Sequence, residues 1–390
     1  MTLLQSDGAD PSVYHGRRGD LAVAVPRIAT VATIDGVLDE PAWSRAAVLT
    51  GFSQYIPVDG PPANDSTDVL VWYAPDGIYF GIRAYEAHGV VNATLADRDK
   101  IDADDYVQIL LDTFNDRRRA LVLGVNPFGV QADGIRSEGT MGAAGGPGAG
   151  GRMENVDLNP DFVFHSKGRL TPSGYEVEVF IPFESIRYQP AATQSWAINV
   201  IRKVQHSGYE DTWVPARRAN ASFLAQSGTL TGLTGLRRGL VLDLNPFTTG
   251  KVLGEPGSGG WTYDVSPEMG FNARWGVTTN LTLDATVNPD FSQVEADVGQ
   301  VTINERFAIF FPEKRPFFLE GIEQFDTPNQ LIYTRRIRNP LGGVKLTGKV
   351  AGTNVGVLSA VDDRSTSASG DDYPILNLLR LRRDLGDNST

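Results

Sequence analysis

Acidic side chains crowd one short stretch between two segments rich in strand-forming residues: Asp97, Asp99, Asp102, Asp104 and Asp105. Proteins bind calcium through several hard oxygen atoms, which carboxylates and carbonyls supply. The stretch therefore predicts a structural calcium ion held by Asp97, Asp99, Asp102 and Asp104. The spacing is not that of an EF-hand. The alternative is a solvated acidic loop that binds no metal.

A second charged group surrounds the phenylalanines of residues 310–318. Its candidates for acid–base catalysis are Glu313 and Glu320, because glycoside hydrolysis uses a pair of carboxyl groups. The same carboxylates could instead form structural ion pairs with neighbouring bases such as Arg315. Both hypotheses are kept at this point.

Other signatures of catalysis are missing from the sequence. The chain has no cysteine, which excludes disulfides, thiolate zinc sites and a cysteine nucleophile. Its four histidines are scattered, and it has no Gly-x-Ser-x-Gly segment. With 47 acidic against 35 basic residues the net charge is -12, which argues against a duplex nucleic-acid partner.

Short strands are the elements predicted to position these side chains. The length of 390 residues suggests two domains, and 42 glycines and 23 prolines favour many turns. We predict an irregular N-terminal lead at 1–26, a β-sandwich at 27–236 and a second β domain at 237–390. Turn-bounded runs rich in β-branched and aromatic residues predict sandwich strands at 68–74, 78–85, 105–112, 120–126, 162–170, 175–181 and 195–204.

Two connecting segments of the sandwich have sequence patterns of their own. Residues 39–43 predict a short helix with Asp39 as its N-cap. The glycine-rich stretch 139–151 lacks the Gly-Lys-Ser/Thr ending of a phosphate-binding loop. It is therefore interpreted as a surface insertion between strands.

The second domain shows a regular alternation of apolar and polar residues. The pattern is strict at 281–287, 344–350 and 355–361, and it starts at Met269 in the preceding segment. Membrane-spanning strands alternate in this way, with one face toward lipid and one toward a lumen. A soluble antiparallel sheet gives the same alternation. No run of 18 apolar residues predicts a transmembrane helix, and the N-terminus carries no signal-peptide pattern.

One long segment resembles a known family. Residues 284–321, DATVNPDFSQVEADVGQVTINERFAIFFPEKRPFFLEG, together with 333–337 and 343–349, resemble the bacterial domain-of-unknown-function family 5916. Members of that family look like outer-membrane β-barrels with an N-terminal domain similar to family 9 carbohydrate-binding modules. The N-terminal resemblance lies in residues 34–43, 69–86, 104–112, 174–182 and 228–230.

The resemblance implies an all-β chain, in which an antiparallel β-sandwich precedes the first strands of an incomplete outer-membrane β-barrel. It places the protein in a Gram-negative outer membrane, with lipid as a partner and the sandwich on the periplasmic side. A closed barrel needs at least about eight strands, and residues 237–390 supply about six. We therefore expect a longer natural protein that begins with a signal peptide.

The resemblance also bears on sugar and metal binding. Family 9 modules clamp a sugar between two tryptophans, but the matching places here hold Asp102 and 220–221, which are not aromatic. The nearest aromatic candidates for binding a sugar are Tyr106, Trp213 and Phe223, although core packing is the alternative for each. Family 9 modules also bind structural calcium, which agrees with the acidic stretch.

Two hypotheses for function follow. The first is a carbohydrate-binding-like domain on an outer-membrane protein that captures, takes up or catabolises an oligosaccharide or polysaccharide. The second is an envelope hydrolase acting on O-glycosyl compounds, with Glu313 and Glu320 as its acidic residues. A nucleic-acid partner is not expected.

Overall fold

The computed structural model describes residues 12–138, 156–158, 160–257, 260–290, 313–325, 327, 331–367 and 369–385. The glycine-rich stretch 139–151 lies outside these ranges. The chain folds as two compact units, residues 1–239 and 240–390. Among the described residues, no helix is both long enough and apolar enough to span a membrane.

The described part of unit 1 is built from short strands. In chain order they are β1 (Val13–His15), β2 (Ala22–Ala24), β3 (Ala47–Thr50), β4 (Ser53–Ile56), β5 (Thr67–Tyr73), β6 (Gly77–Tyr85), β7 (Tyr106–Asp112), β8 (Arg119–Val125), β9 (Gln131–Ser137), β10 (Val156–Asp157), β11 (His165–Thr171), β12 (Gly174–Pro182), β13 (Thr193–Val204), β14 (Tyr209–Thr212) and β15 (Gly228–Thr234). Short 3₁₀ helices lie at Gly16–Arg18, Trp43–Arg45 and Leu224–Gln226.

These strands form two sheets that pack face to face. The first sheet has the order β1-β3-β5-β6-β12-β11, and the second has the order β10-β9-β8-β7-β13-β14-β4. In the second sheet β15 also pairs with β13, and β2 pairs with β15. Their inner faces share one buried core, to which Phe80 contributes from the first sheet and Trp196 from the second. The predicted β-sandwich and its predicted strands are confirmed.

The outer face of the first sheet is also covered, which explains why β5 is apolar on both sides. Trp43 and Leu38 from the segment before β3 pack there with Trp72 and other residues. Gly81 of β6 makes room for them, because an added Cβ would lie 2.6 Å from a Leu38 methyl carbon and 2.9 Å from the Trp43 ring. A larger side chain at residue 81 would displace this cover.

Two sequence expectations need correction in unit 1. The lead at 1–26 is not irregular throughout, because β1 pairs in parallel with β3 and β2 pairs in parallel with β15. Asp39 does not cap a helix: the 3₁₀ helix starts at Trp43, and its N-cap, Ala42, offers no side-chain acceptor. In both places tertiary pairing and packing override the local pattern.

Unit 2 is organised around one six-stranded antiparallel sheet. Its strands are β16 (Leu242–Gly257), β17 (Gly260–Gly276), β18 (Leu281–Val287), β19 (Pro340–Val350), β20 (Thr353–Asp362) and β21 (Ile375–Arg383), paired in chain order. The segment between β18 and β19 includes a short helix, α1 (Pro316–Leu319), and 3₁₀ helices at Ile322–Gln324 and Thr334–Arg336; a further 3₁₀ helix, Arg364–Thr366, follows β20. The all-β prediction is therefore confirmed in both units.

Candidate functional site

An open groove lies on the outer face of the first sheet of unit 1, near the ends of β6, β11 and β12. Its volume is about 410 Å³, and the residues lining it include Arg83, Tyr85, Arg169, Thr171, Ser173 and Glu176. We call it the Tyr85 groove. Strand register assembles it: Tyr85 lies opposite Gly174, and Glu176 lies opposite both Arg83 and Arg169. Directly opposed side chains share one face of a sheet, so pairing alone gathers these groups.

Gly174 provides the open space beside Tyr85. Its φ is +143°, and an added Cβ would lie 2.0 Å from the carbonyl oxygen of Ala84. Glycine is therefore required here, and β12 presents no side chain toward the tyrosine ring. Tyr85 is 37% exposed, and within the described ranges of unit 1 no other tyrosine, phenylalanine or tryptophan is as exposed. An exposed ring with a polar edge is a surface on which a pyranose can stack.

The charged side chains of the Tyr85 groove form one network. Arg83 Nε lies 3.3 Å from Glu176 Oε1, and Arg169 Nη2 donates to Glu176 Oε2 at 2.8 Å. A second bond joins Arg169 Nε to the same Oε2 at 3.3 Å. Both carboxylate oxygens are thus occupied by guanidinium groups. The groove pairs an aromatic surface with hydrogen-bond donors, which is a combination suited to an oxygen-rich ligand.

The predicted sugar-binding aromatics lie in the cores of unit 1. Trp213 is 0% exposed in the core between the sheets, and Tyr106 and Phe223, 8% and 6% exposed, belong to a cluster on the outer face of the second sheet. Phe223 packs edge-on against Tyr55 and lies under the Arg136 guanidinium. None of the three presents an open ring face to a sugar. Their burial favours the alternative of core packing over sugar binding for all three.

The acidic stretch is tied into the protein by hydrogen bonds. Asp99 accepts from the backbone N–H of Asp133, and buried Asp104 accepts from Thr94 and Asn126. Asp97 is exposed and pairs with Lys100 at 2.9 Å, and Asp102 is half-buried. No three histidine or acidic side chains meet in a metal-binding arrangement anywhere in the described ranges. Calcium binding remains a prediction, and it would require these hydrogen bonds to rearrange.

Glu313 is held in a buried ion pair. Arg315 donates to its two carboxylate oxygens at 2.8 and 2.7 Å, and the Thr334 hydroxyl donates at 2.6 Å. Burial raises the pKa of Glu313, but the hydrogen bonds from Arg315 and Thr334 outweigh that effect and lower it. Glu320 is paired with Arg274. These contacts favour the structural alternative for both carboxylates over acid–base catalysis.

The sheet of unit 2 has two faces that differ in polarity. Across the six strands, paired residues form an uninterrupted apolar row of Leu242, Trp275, Leu283, Leu346, Val357 and Leu379. Neighbouring positions on this apolar face include Phe271, Val287 and Ile375, and its side chains are widely exposed, Leu379 to 69% and Trp275 to 46%. We call it the apolar face.

The opposite face of the same sheet carries charges on β16 to β19 and apolar residues on β20 and β21. Its matching row runs Asp243, Arg274, Asp284 and Lys345 with alternating sign, and ends in Leu358 and Leu378. Leu358 is buried there in a cluster with Phe318 and Phe325. Lys345 donates to the carbonyl oxygens of Phe317 and Glu320, so these described residues from the segment between β18 and β19 lie against this face. Within its described residues, unit 2 thus covers this face with its own chain and leaves the apolar face exposed.

A buried carboxylate that the sequence did not single out is Glu178 of β12. Its Oε2 accepts from the backbone N–H groups of Asp35 and Gly36, both at 2.8 Å, and its Oε1 accepts from Trp43 Nε1 at 3.0 Å. Burial raises the pKa of Glu178 to about 7, and the nearby charge of Glu40 adds to this effect. Glu178 therefore fixes the turn before Trp43 and titrates near neutral pH.

The comparisons with known proteins give separate results for the two parts of the chain. No curated protein matches it. Solved structures of a family 9 carbohydrate-binding module from Caldicellulosiruptor kristjanssonii, in complex with cellotriose and with glucose, match at 14% and 15% identity. Each covers 54% of this chain and 92% or 94% of the module, with a TM-score of 0.38.

A third solved structure, of a Bacteroides uniformis ATCC 8492 protein proposed to bind carbohydrate, matches at 12% identity. It covers 54% of this chain and 98% of that protein, with a TM-score of 0.39. The model of the family DUF5916, a domain of unknown function, matches residues 239–358. The resemblance of the second part of the chain is confirmed, because residues 239–358 match the DUF5916 family model.

Proposed function

We propose that this chain is a saccharide-binding protein of the outer membrane, whose unit 2 sheet contacts lipid and whose Tyr85 groove receives the saccharide. The exposed apolar face of unit 2 is the main observation in support of a membrane location. The proposed role is capture of a glycan at the envelope.

The polarity of unit 2 supports contact with lipid. A sheet in water buries its apolar face and exposes its polar one, whereas a membrane-spanning sheet does the reverse. Here the apolar face runs across all six strands, and it is far larger than the scattered exposed apolar residues of ordinary soluble surfaces. Contact with the hydrocarbon of a membrane would bury this face.

Tryptophan fluorescence in nanodiscs tests the lipid contact. Of the six tryptophans, Trp261 and Trp275 are exposed in unit 2, and the four in unit 1 are buried. Brominated lipids should quench the wild-type emission, and the Trp275→Phe variant should lose part of that quenching. The Trp196→Phe variant is the control and should keep the whole quenchable signal. A chain that stays in the soluble fraction without detergent would contradict the proposal.

The Tyr85 groove supports saccharide binding in unit 1. It places the exposed Tyr85 ring beside two guanidinium groups and the hydroxyls of Thr171 and Ser173. Sugars present an apolar ring face and a rim of hydroxyl groups, so stacking and hydrogen bonding can act together. The volume of about 410 Å³ accommodates one or two sugar rings.

Calorimetric titration of the full chain in detergent tests this part. A panel of neutral and acidic oligosaccharides should contain at least one that binds, and Tyr85→Ala should weaken its binding about tenfold by removing the stacking surface. Tyr209→Ala, which changes a half-buried tyrosine on β14, is the matched control and should bind as the wild type does. If the wild type and Tyr85→Ala bound the oligosaccharide with equal affinity, the Tyr85 groove would not be its binding site.

A further inference from the structure

We infer that the saccharide bound in the Tyr85 groove is acidic, with a carboxylate-bearing sugar such as a uronate placed against Arg83 and Arg169. This inference rests on the proposed saccharide function and names its ligand class. It depends on which hydrogen-bonding groups of the groove are already used.

The groove has one carboxylate, and both of its oxygens already accept hydrogen bonds from arginine. Glu176 is its acidic side chain, and its Oε1 and Oε2 accept from Arg83 and Arg169 respectively. Neutral sugars present hydroxyl groups that both donate and accept, and proteins commonly meet their donors with carboxylates. The other side-chain acceptors of the groove are the hydroxyl oxygens of Thr171, Ser173 and Tyr85, which are uncharged and can equally donate to a ligand.

Donors, in contrast, are in excess. Arg83 uses Nε toward Glu176 and Nη2 toward the Leu38 carbonyl oxygen at 3.5 Å, and Arg169 uses Nε and Nη2. The Nη1 group of each arginine forms no hydrogen bond with any residue in the described part of the chain. The same holds for the side-chain hydroxyls of Thr171 and Ser173. A ligand rich in acceptors matches this surplus.

The charge of the groove agrees with its donor surplus. Its charged lining residues, Arg83, Arg169 and Glu176, sum to +1, although the whole chain carries -12. Asp68 lies opposite Arg83 on β5, outside the lining. Guanidinium groups bind carboxylates through charge-assisted hydrogen bonds, which are about twice as strong as neutral ones. A uronate would supply the carboxylate and also the ring that stacks on Tyr85.

A matched pair of ligands tests the inference on the full chain in detergent. Trigalacturonate and its methyl ester share the same sugar backbone, but the ester replaces each negative charge with a methyl ester group, and titration calorimetry measures the binding of both. We expect the acid to bind at least about tenfold more tightly than the ester, with an affinity that falls as salt rises. Arg169→Gln should reduce this preference about tenfold. Arg45→Gln, which removes an exposed arginine elsewhere in unit 1, should leave it unchanged.

The outcomes separate the inference from the proposed function. Equal binding of acid and ester, or binding of neutral cello- or xylo-oligosaccharides alone, overturns the acidic ligand and leaves saccharide binding in place. If the protein binds neither trigalacturonate, nor an alginate trisaccharide, nor any neutral oligosaccharide, both the acidic ligand and the saccharide function are overturned. If sodium sulfate competes as strongly as trigalacturonate does, the groove is a simple anion site, and the sugar ring contributes nothing.

Discussion

Replacing Glu178 with glutamine should change how the stability of unit 1 depends on pH. In the wild type, the buried carboxylate of Glu178 accepts three hydrogen bonds, two from backbone N–H groups and one from Trp43. Glutamine keeps one oxygen as an acceptor for the backbone groups. Trp43 Nε1 keeps a second acceptor, because Glu40 Oε2 lies 2.9 Å away. The variant should therefore fold, without a titrating group at residue 178.

The raised pKa of Glu178 decides whether the stability of unit 1 rises or falls with pH. Its pKa in the folded protein is about 7, whereas the ordinary pKa of a glutamate side chain is 4.5. Stability from this group is fully present below the unfolded pKa and is lost as pH rises through the folded pKa, because the unfolded chain then releases the proton more readily. One pH unit of such a difference corresponds to about 1.4 kcal/mol. Between pH 5 and pH 8 the wild type should lose roughly 2 kcal/mol more than E178Q.

Urea unfolding of the full chain in detergent, followed by tryptophan emission at several pH values, measures this difference. Asp133 and Asp211, whose pKa values burial raises to about 6, titrate in the same window in both proteins. The difference between wild type and variant therefore isolates Glu178. Glu184→Gln, an exposed carboxylate, serves as the control and should leave the pH dependence unchanged. If the free energy of unfolding depended on pH in the same way for the wild type and E178Q, the reasoning would be refuted.

Three further outcomes are expected. Gly81→Val should destabilise unit 1 by about 1–3 kcal/mol in urea unfolding, because its side chain would meet Trp43; an unchanged midpoint would contradict the packing described. Arg315→Met should cost unit 2 about 3–5 kcal/mol, since it leaves the Glu313 carboxylate buried and unpaired. Adding Glu313→Gln should restore part of that loss. If residues 97–104 bind calcium, the Tm should be higher in millimolar calcium than in EDTA. An identical Tm in the two conditions would contradict calcium binding there.

The strands were predictable because their signal is local. Alternation of apolar and polar residues in segments such as 281–287, and apolar runs such as 68–74, follow directly from the two-residue period of a strand. The observed strands β18 and β5 cover these segments. The alternation of unit 2 also anticipated two faces that differ in polarity, although it did not show which face the chain itself would cover.

The Tyr85 groove was not predictable from local pattern. Its residues come from β6 and from the β11–β12 hairpin, which are some 85 residues apart in the chain. A pairing register over such a distance is set by the whole sheet, so the position of Gly174 opposite Tyr85 had no signal in the sequence. The burial of the predicted aromatics also had no signal in the local pattern, because tertiary packing decides whether Trp213 is a core residue or a surface one.

The sequence by itself determined the all-β class, the strand segments and the lack of a cysteine-based site, since each depends on composition or on short-range periodicity. Tertiary structure decided which charges are paired, which rings are exposed and where a cavity opens. These depend on the order and register of strands distant in the chain, and a change of register by one residue would turn Tyr85 to the opposite face of its sheet.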